Sequence, residues 1–401
     1  MKVCFLCSNH LPEARGGTEQ VTEALEQEYR RRGVEVVVIA SSDVPDPDGT
    51  VALERWRGTP VHRIHKRRDE WDNSGFVRPR LLGIVRELLG RERPDVLHVH
   101  STAALGTGCV AIAHELGIPI VWTFHDLWTT CARYFRLPLP GIRCPAGPAL
   151  EACVDCIDLE VGAGRVRVEA ALLERGRRVR ADLELAAVCT APSRATARTV
   201  RDCVPYARPI HVVPHGLLRT VHAEERTAGP RPGSPLRVGS FGGLGVEKGI
   251  LELCAAVRGL TCELHLTGRH LGPAGEAALG DLQRSGMTVV QRDGYGPGDP
   301  HPARDLDLAV FPSRCQETYG LVVDEALAHG VPCVVSDNGA LAERAGQPGV
   351  VVTALAKLPA TLHDLVTRPD RIAALRRAIP SELPTIATAA ARYLEFYRSI
   401  A

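Results

Sequence analysis

Short apolar runs alternate with longer amphipathic stretches along most of this chain. Residues 2–8 (KVCFLCS) are apolar almost throughout, the pattern of a strand buried on both faces. A polar, glycine-containing loop over 9–17 leads to helical spacing over 18–33 and a second apolar run over 34–40. This β-α-β opening predicts a parallel sheet with helices on both faces. Residues 43–60 are polar and rich in Pro and Gly and predict a loop before a strand over 61–65. The same reading gives a helix over 78–91, a strand over 95–100, a helix over 103–116 and a strand over 119–124. Residues 126–158 break the pattern as an irregular Cys- and Pro-rich insertion. A long Arg/Glu helix over 160–181, a strand over 186–191, a helix over 194–202 and a strand over 210–213 follow.

Residues 217–235 (LLRTVHAEERTAGPRPGSP) are polar and end in Pro, Gly and Ser, the composition of a linker. Alternation then restarts. Strands are predicted over 236–241, 262–267, 288–291, 307–311, 332–336 and 350–352, with helices over 248–258 and 274–285, a helix carrying Glu325, and helical segments from about 355. The fold class predicted is α/β, with two Rossmann-like parallel-sheet domains facing a ligand cleft. At 401 residues the chain exceeds one ordinary core, which agrees with two domains.

Composition narrows the picture. Basic and acidic residues number 48 and 47, so no net field favours nucleic acid. No run of eighteen apolar residues predicts a membrane span. The chain enters a strand at once, without a signal-peptide layout, and Cys4, Cys7, Cys189 and Cys333 fall in apolar strands. Buried thiols of a reducing, cytoplasmic protein are the expectation.

Candidate chemistry concentrates in SRCQETYGLVVDEALA (313–328), where Glu317 and Glu325 flank Tyr319-Gly320 between a strand and a helix. Ligands of open α/β sheets bind at strand carboxyl ends beside helix N-termini, and glutamates there can accept hydrogen bonds from a hydroxyl-rich ligand. Without context, a capping glutamate and a solvated one are the commoner explanation. Gly16 and Gly17 lie between the first strand and first helix, where glycine permits close backbone approach and a helix start favours anions. The absence of GxGxxG there argues against a dinucleotide cofactor. His125 ends a strand (TFHDLW), with Asp126 placed to orient its ring; His98 and His100 are weaker candidates. Lys248, at a strand–loop–helix turn, is a point charge suited to a diphosphate.

PSRCQETYGLVVDEALAHGVPCVVSD resembles the Glu-x7-Glu signature of retaining nucleotide-sugar glycosyltransferases of the GT-B fold, specifically glycosyltransferase family 4. The resemblance implies that Glu317 and the residues after it, Thr318, Tyr319, Gly320 and Leu321, hold the donor sugar, and that Glu325 holds the ribose. It implies that Gly16-Gly17 faces the donor phosphates and acceptor, and that His125 contacts the donor sugar near the reacting carbon. GGLGVEKGI resembles the family's Gly-Arg-Leu…Glu-Lys-Gly motif, with Gly243 replacing the arginine that usually joins the lysine on the diphosphate. Arg269 or Arg314 fills in, or Lys248 acts with backbone amides alone. VVPHGL (212–217) carries His215 where the family commonly has Asn. The implied domains are an acceptor-side domain over 1–215, a linker over 216–235, a nucleotide-sugar domain over 236–380, and a final helix over 381–401 packing back on the first domain. The likeness is weakest over 43–95, 126–185 and 293–305.

Four cysteines of the insertion, Cys131, Cys144, Cys153 and Cys156, end in a CxxC and suit a tetrahedral structural zinc. Free thiols, a disulfide and an iron–sulfur cluster stay open as alternatives.

The reading is a retaining glycosyltransferase with catalytic His125, Glu317 and Lys248. Its donor is a nucleoside-diphosphate sugar, UDP or GDP foremost, and no catalytic metal is expected. Its partners are that donor and a small-molecule or glycan acceptor. A sugar-nucleotide epimerase, a sugar phosphorylase of the same fold and a non-catalytic nucleotide-sugar binder are the alternatives; turnover with donor alone or with an acceptor separates them.

Overall fold

Strand β1 (Lys2–Cys7) forms the centre of an eight-stranded sheet. Its residues from Val3 to Cys7 are buried, as its continuous apolar run requires of a strand covered on both faces. In chain order follow α1 (Gly17–Arg31), β2 (Glu35–Ser42), β3 (Val51–Trp56), β4 (Thr59–His65), α2 (Pro79–Glu92), β5 (Val96–Val99), α3 (Cys109–Glu115), β6 (Ile120–Thr123), α4 (Leu150–Val161), α5 (Arg165–Glu184), β7 (Val188–Ala191), α6 (Arg194–Cys203) and β8 (Ile210–Val212). The strand order is β3-β4-β2-β1-β5-β6-β7-β8, parallel except for β3. The computed structural model describes all residues except 47, 68, 69, 73, 141, 143, 145, 146, 148, 149, 205, 207, 228, 232 and 297.

The second sheet comprises β9 (Leu236–Gly243), β10 (Cys262–Arg269), β11 (Val289–Arg292), β12 (Leu308–Phe311), β13 (Cys333–Ser336) and β14 (Val350–Thr353). Its order is β11-β10-β9-β12-β13-β14, all parallel. Helices α7 (Ile250–Val257), α8 (Gly272–Arg284), α9 (Leu321–Ala328), α10 (Leu358–Thr367) and α11 (Pro369–Ala378) accompany it. From β9 the chain passes to β10 on one side, whereas β12 continues to β13 on the other. The carboxyl ends of β9 and β12 therefore frame the switch point at which such sheets bind ligands.

The chain divides into two units, Met1–Leu218 with Thr385–Ala401, and Arg219–Pro384. The last helix, α12 (Ile386–Ile400), belongs to unit one. Its buried Tyr397 places a hydroxyl 3.3 Å from that of Tyr29 on α1 and 2.5 Å from Nδ1 of His98. Among the described residues no helix is long and apolar enough to cross a membrane.

Three local expectations give way. Residues 43–60 are not all loop, because β3 and β4 form an antiparallel hairpin. Its turn is Arg57-Gly58, both at positive φ (44° and 89°), and the outer strand is too polar and exposed to show as an apolar run. The helix expected from 103 starts only at Cys109, since Gly106 and Gly108 adopt left-handed backbone at φ 86° and 101°. The insertion ends in an ordered helix, α4, rather than irregular chain.

Candidate active site

In unit two, β9 ends at Gly243 and the chain makes a tight turn over Val246–Lys248 before α7. Gly249 follows at φ 83°, and a Cβ there would lie 1.9 Å from the Pro312 carbonyl oxygen. Only glycine lets this turn press against the end of β12. Backbone bonds seal the contact, with the Arg314 and Cys315 N–H groups donating to the Glu247 carbonyl at 3.0 and 3.1 Å. Lys248 Nζ thereby reaches Glu317 Oε1 at 2.7 Å, and Ser313 Oγ donates to the same oxygen at 2.6 Å. Burial alone would raise the Glu317 carboxyl, but the charge and hydrogen bond of Lys248, with Ser313, hold it below the usual carboxylate range. Burial acts to lower Lys248, and Glu317 outweighs it and pushes the ammonium up. The lysine and the first glutamate are thus a charged, directly bonded pair.

At Gly243, Lys248 side-chain carbons lie 3.5 and 3.7 Å from where a Cβ would stand, so the lysine stem runs over the position of the usual arginine. Arg269 lies directly across from Gly243 in the β9–β10 register and is exposed, its Nε donating to the Asp293 carbonyl at 3.1 Å. Arg314 turns to Glu252 at 3.3 Å.

The Glu317 loop rests on residues 338–344. Glu317 forms a parallel bridge with Gly339, and the Ala340 N–H donates to the Glu317 carbonyl at 2.8 Å. Gly320, at φ 84°, starts α9 and Leu321 is its first residue, with Thr318 and Tyr319 half-buried before it. Tyr319 Oη donates to Asp324 Oδ2 at 2.7 Å, and Arg344 grips Asp324 at 2.6 and 3.2 Å. Glu325 projects from the second turn of α9, its carboxylate partly exposed and 3.7 Å from His301 Nε2.

The remaining predicted residues lie in unit one. Gly16 caps α1 in extended backbone and Gly17 is its first residue. Glu19 folds back over that start: burial raises its carboxyl, opposed by hydrogen bonds from its own and the Gly16 N–H. His125 follows β6, buried, its Nε2 2.8 Å from His100 Nδ1. Its ring stacks between those of His100 and His215, with centroids 5.0 Å away on each side. His98 joins the column at 4.0 Å from His100. Burial pushes all four rings down, His215 to about 3 and the others well below the ordinary range, so the column is neutral. Asp126, expected to orient His125, accepts instead from the Trp128 N–H at 2.8 Å, and burial pushes it up to about 6. The ring on His125 is that of His100, ranked low in the sequence.

The zinc expectation gains no support from the fold. Among the described residues no group of three or more His, Cys, Asp or Glu side chains is arranged to hold a metal ion. Cys153 and Cys156 sit on α4 rather than in a knuckle turn. Burial pushes the Cys144 and Cys153 thiols up, and other cysteines of the set add to the rise. The Arg133 guanidinium stands 3.8 Å from Cys156 Sγ.

Comparison with known proteins settles the family. The description Glycosyltransferase Family 4 matches residues 15–217, and Glycosyl transferases group 1 matches residues 235–368. The chain belongs to glycosyltransferase family 4. It is 28% identical over 353 residues to the GDP-mannose-dependent alpha-mannosyltransferase of Mycolicibacterium smegmatis, covering 84% of this chain and 80% of that one. It is 29% identical over 315 residues to D-inositol 3-phosphate glycosyltransferase 1 of Catenulispora acidiphila, covering 70% and 66%. Among solved structures it resembles the sucrose-phosphate synthase of Thermosynechococcus elongatus, with TM-score 0.70, 17% identity and 100% and 99% coverage. It also resembles Anabaena Alr3699/HepE in complex with UDP-glucose, with TM-score 0.66, 15% identity and full coverage of both chains. At such identities the structures show the fold, GT-B.

Several residues of the candidate site were not singled out in the sequence. Ser313 precedes the signature as an ordinary turn serine, although its hydroxyl shares Glu317 with Lys248. Asp324 and Arg344 are twenty residues apart and meet only through the fold. His301 lies in a Pro/Gly-rich stretch without periodicity, and His329 reads as a helix-end residue. HVH at 98–100, the weaker candidates of the sequence, alternates so that both rings lie on one face of β5.

Proposed function

We propose that this glycosyltransferase transfers a sugar from a nucleoside-diphosphate sugar to a hydroxyl-bearing acceptor with retention of anomeric configuration. The observation that carries the reading is the Lys248–Glu317 pair at the switch point, with Glu325 on the helix that follows the Glu317 loop. In this reading Lys248 turns from Glu317 to the donor diphosphate, whose charge grows as the bond to the sugar breaks. A preplaced cation is worth most where charge develops. Glu317, released from the lysine, and the backbone of Thr318, Tyr319, Gly320 and Leu321 hold the sugar hydroxyls, and Glu325 holds the ribose. Arg269, beside the vacant arginine position, supplies the second positive charge. Gly16, Gly17 and His125 face the phosphates, acceptor and donor sugar. No metal step is included. Relatives described as GDP-mannose-dependent support testing GDP-mannose first, and UDP-glucose next.

The test is a thermal-shift screen with GDP-, UDP- and dTDP-sugars, followed by donor turnover with candidate acceptors and assignment of the product anomer by NMR. A ligand bound only by the folded state raises the melting temperature by mass action. Absence of any shift across the panel, or an inverted anomer, overturns the proposal at the corresponding level.

A further inference from the structure

Beside Glu325 two histidine rings lie face to face. His301, ahead of the turn Pro302–Asp305, and His329, which ends α9, stack with centroids 4.2 Å apart and planes 13° from parallel. They are 8% and 1% exposed. Their tautomers follow from their Nδ1 partners. The Ala303 N–H donates to His301 Nδ1 at 3.2 Å, so in the neutral ring the proton sits on Nε2. His329 Nδ1 faces the Glu325 carbonyl oxygen at 2.7 Å; a carbonyl only accepts, so His329 carries its proton on Nδ1. Burial, reinforced by His301, pushes His329 down to about 4, which keeps that ring neutral near pH 7.

His301 Nε2 is buried without a hydrogen-bond partner. Buried histidine nitrogens are usually hydrogen-bonded, as both of His98 are by Tyr397 and Thr123. His329 Nε2 shares the lack of a partner but, among the described residues, pairs with no carboxylate. His301 instead aims its spare N–H at Glu325 Oε2, 3.7 Å away. Edge contacts of Phe241 and Tyr295, at 4.9 and 5.1 Å, hold its ring from the sides. The contacts close a circuit: the Glu325 backbone fixes His329, His329 stacks on His301, and His301 addresses the Glu325 carboxylate.

We propose that His301 is a positioning residue for Glu325, donating its Nε2–H to one carboxylate oxygen so that the other is presented to the ribose hydroxyls of a bound nucleotide. The proposal rests on the ribose role given to Glu325 above. A carboxylate rotation of about half an ångström brings the pair into hydrogen-bond range, and the buried N–H then gains the partner it lacks. Fixing the carboxylate beforehand lowers the ordering cost of binding.

The experiment is calorimetric titration of the full chain with GDP and with UDP, using whichever binds. Variants are His301→Asn, His301→Gln, Glu325→Gln and the double His301→Asn/Glu325→Gln. An asparagine oxygen can replace Nδ1 as acceptor for Ala303 but cannot reach Glu325, whereas a glutamine amide nitrogen can occupy the place of Nε2. Expected are about ten-fold weaker binding for Asn, recovery to within about three-fold for Gln, and less than about two-fold further loss from Asn when Glu325 is already Gln. The donor KM should follow the dissociation constant while kcat stays unchanged. Parent-like affinity in the Asn variant, equal losses in Asn and Gln, or a full ten-fold loss on top of Glu325→Gln each overturns the positioning role. Unchanged affinity in Glu325→Gln overturns the ribose reading itself, and this inference with it.

Discussion

His215 stands where the family commonly has asparagine, and burial pushes its imidazole down to about 3. An unfolded histidine titrates near 6.5. Between those values the unfolded chain binds a proton that the folded chain does not, so the stability from the neutral ring is complete above pH 6.5 and lost as pH falls. The loss approaches about 1.4 kcal/mol per pH unit. Asparagine does not titrate, so His215→Asn should gain about 2 kcal/mol on the parent between pH 7 and pH 5 in denaturant melts. Asp126 and Asp182, pushed up to about 6, titrate with the opposite sign but in both proteins, and cancel from the difference. A difference independent of pH would tell against a neutral ring. At Lys248, alanine should lower turnover at least ten-fold more than arginine does, because the site needs positive charge at the diphosphate and the lysine also neutralises Glu317. Equal activity of the two variants would place the phosphates elsewhere. Glu317 and Glu325 were legible because one loop and helix carries both, and Lys248 from its own strand–loop–helix turn; their partners Ser313 and His301 come from positions that no local pattern marks.

The element that follows the Glu317 loop is α9, fixed by an ion pair the sequence does not display. Asp324 is 6% exposed and bonded by both Arg344 and Tyr319. Removing one partner of a buried pair strands a charge, at a cost of about 3–5 kcal/mol, whereas replacing both by apolar groups is often close to neutral. Arg344→Met should therefore lower the unfolding free energy by about that amount, and Asp324→Leu/Arg344→Met should recover most of it. Chemical denaturation of the three variants decides; additive losses in the double variant would show that each side chain acts alone. Elements were legible wherever burial makes an apolar run, as in β1 and β12. The β3–β4 hairpin escaped because its outer strand is polar and its turn uses Arg-Gly instead of Asn-Gly. Thiols spaced three apart read equally as a knuckle or as one face of a helix, and α4 makes Cys153 and Cys156 the latter.

At the scale of the whole molecule, two βαβ series were legible from the restart of apolar alternation after residue 235. The sequence does not display how the last helix is tied to the first sheet. Tyr397 on α12 bonds His98 of β5, whose other nitrogen meets Thr123 of β6, and Tyr29 of α1 joins from the side. The contact joins residues 299 apart in the chain. Each unit also has its own apolar core, one spanning β1 to α6, the other lining both faces of the β9–β14 sheet. Tyr397→Phe keeps the ring packing and leaves His98 Nδ1 buried without a partner, which costs about 1–3 kcal/mol. In a unit of this size each kcal/mol is worth about 2–4 °C. Scanning calorimetry of Tyr397→Phe should therefore lower one unfolding transition, that of unit one, by several degrees and leave the other in place. A saturating nucleoside diphosphate should raise the other transition, because Lys248, Glu317 and Glu325 all belong to unit two; a hundred-fold excess over the dissociation constant is worth about 2.7 kcal/mol. Equal displacement of both transitions by the substitution would mean that the tyrosine contact stabilises the chain as one cooperative body.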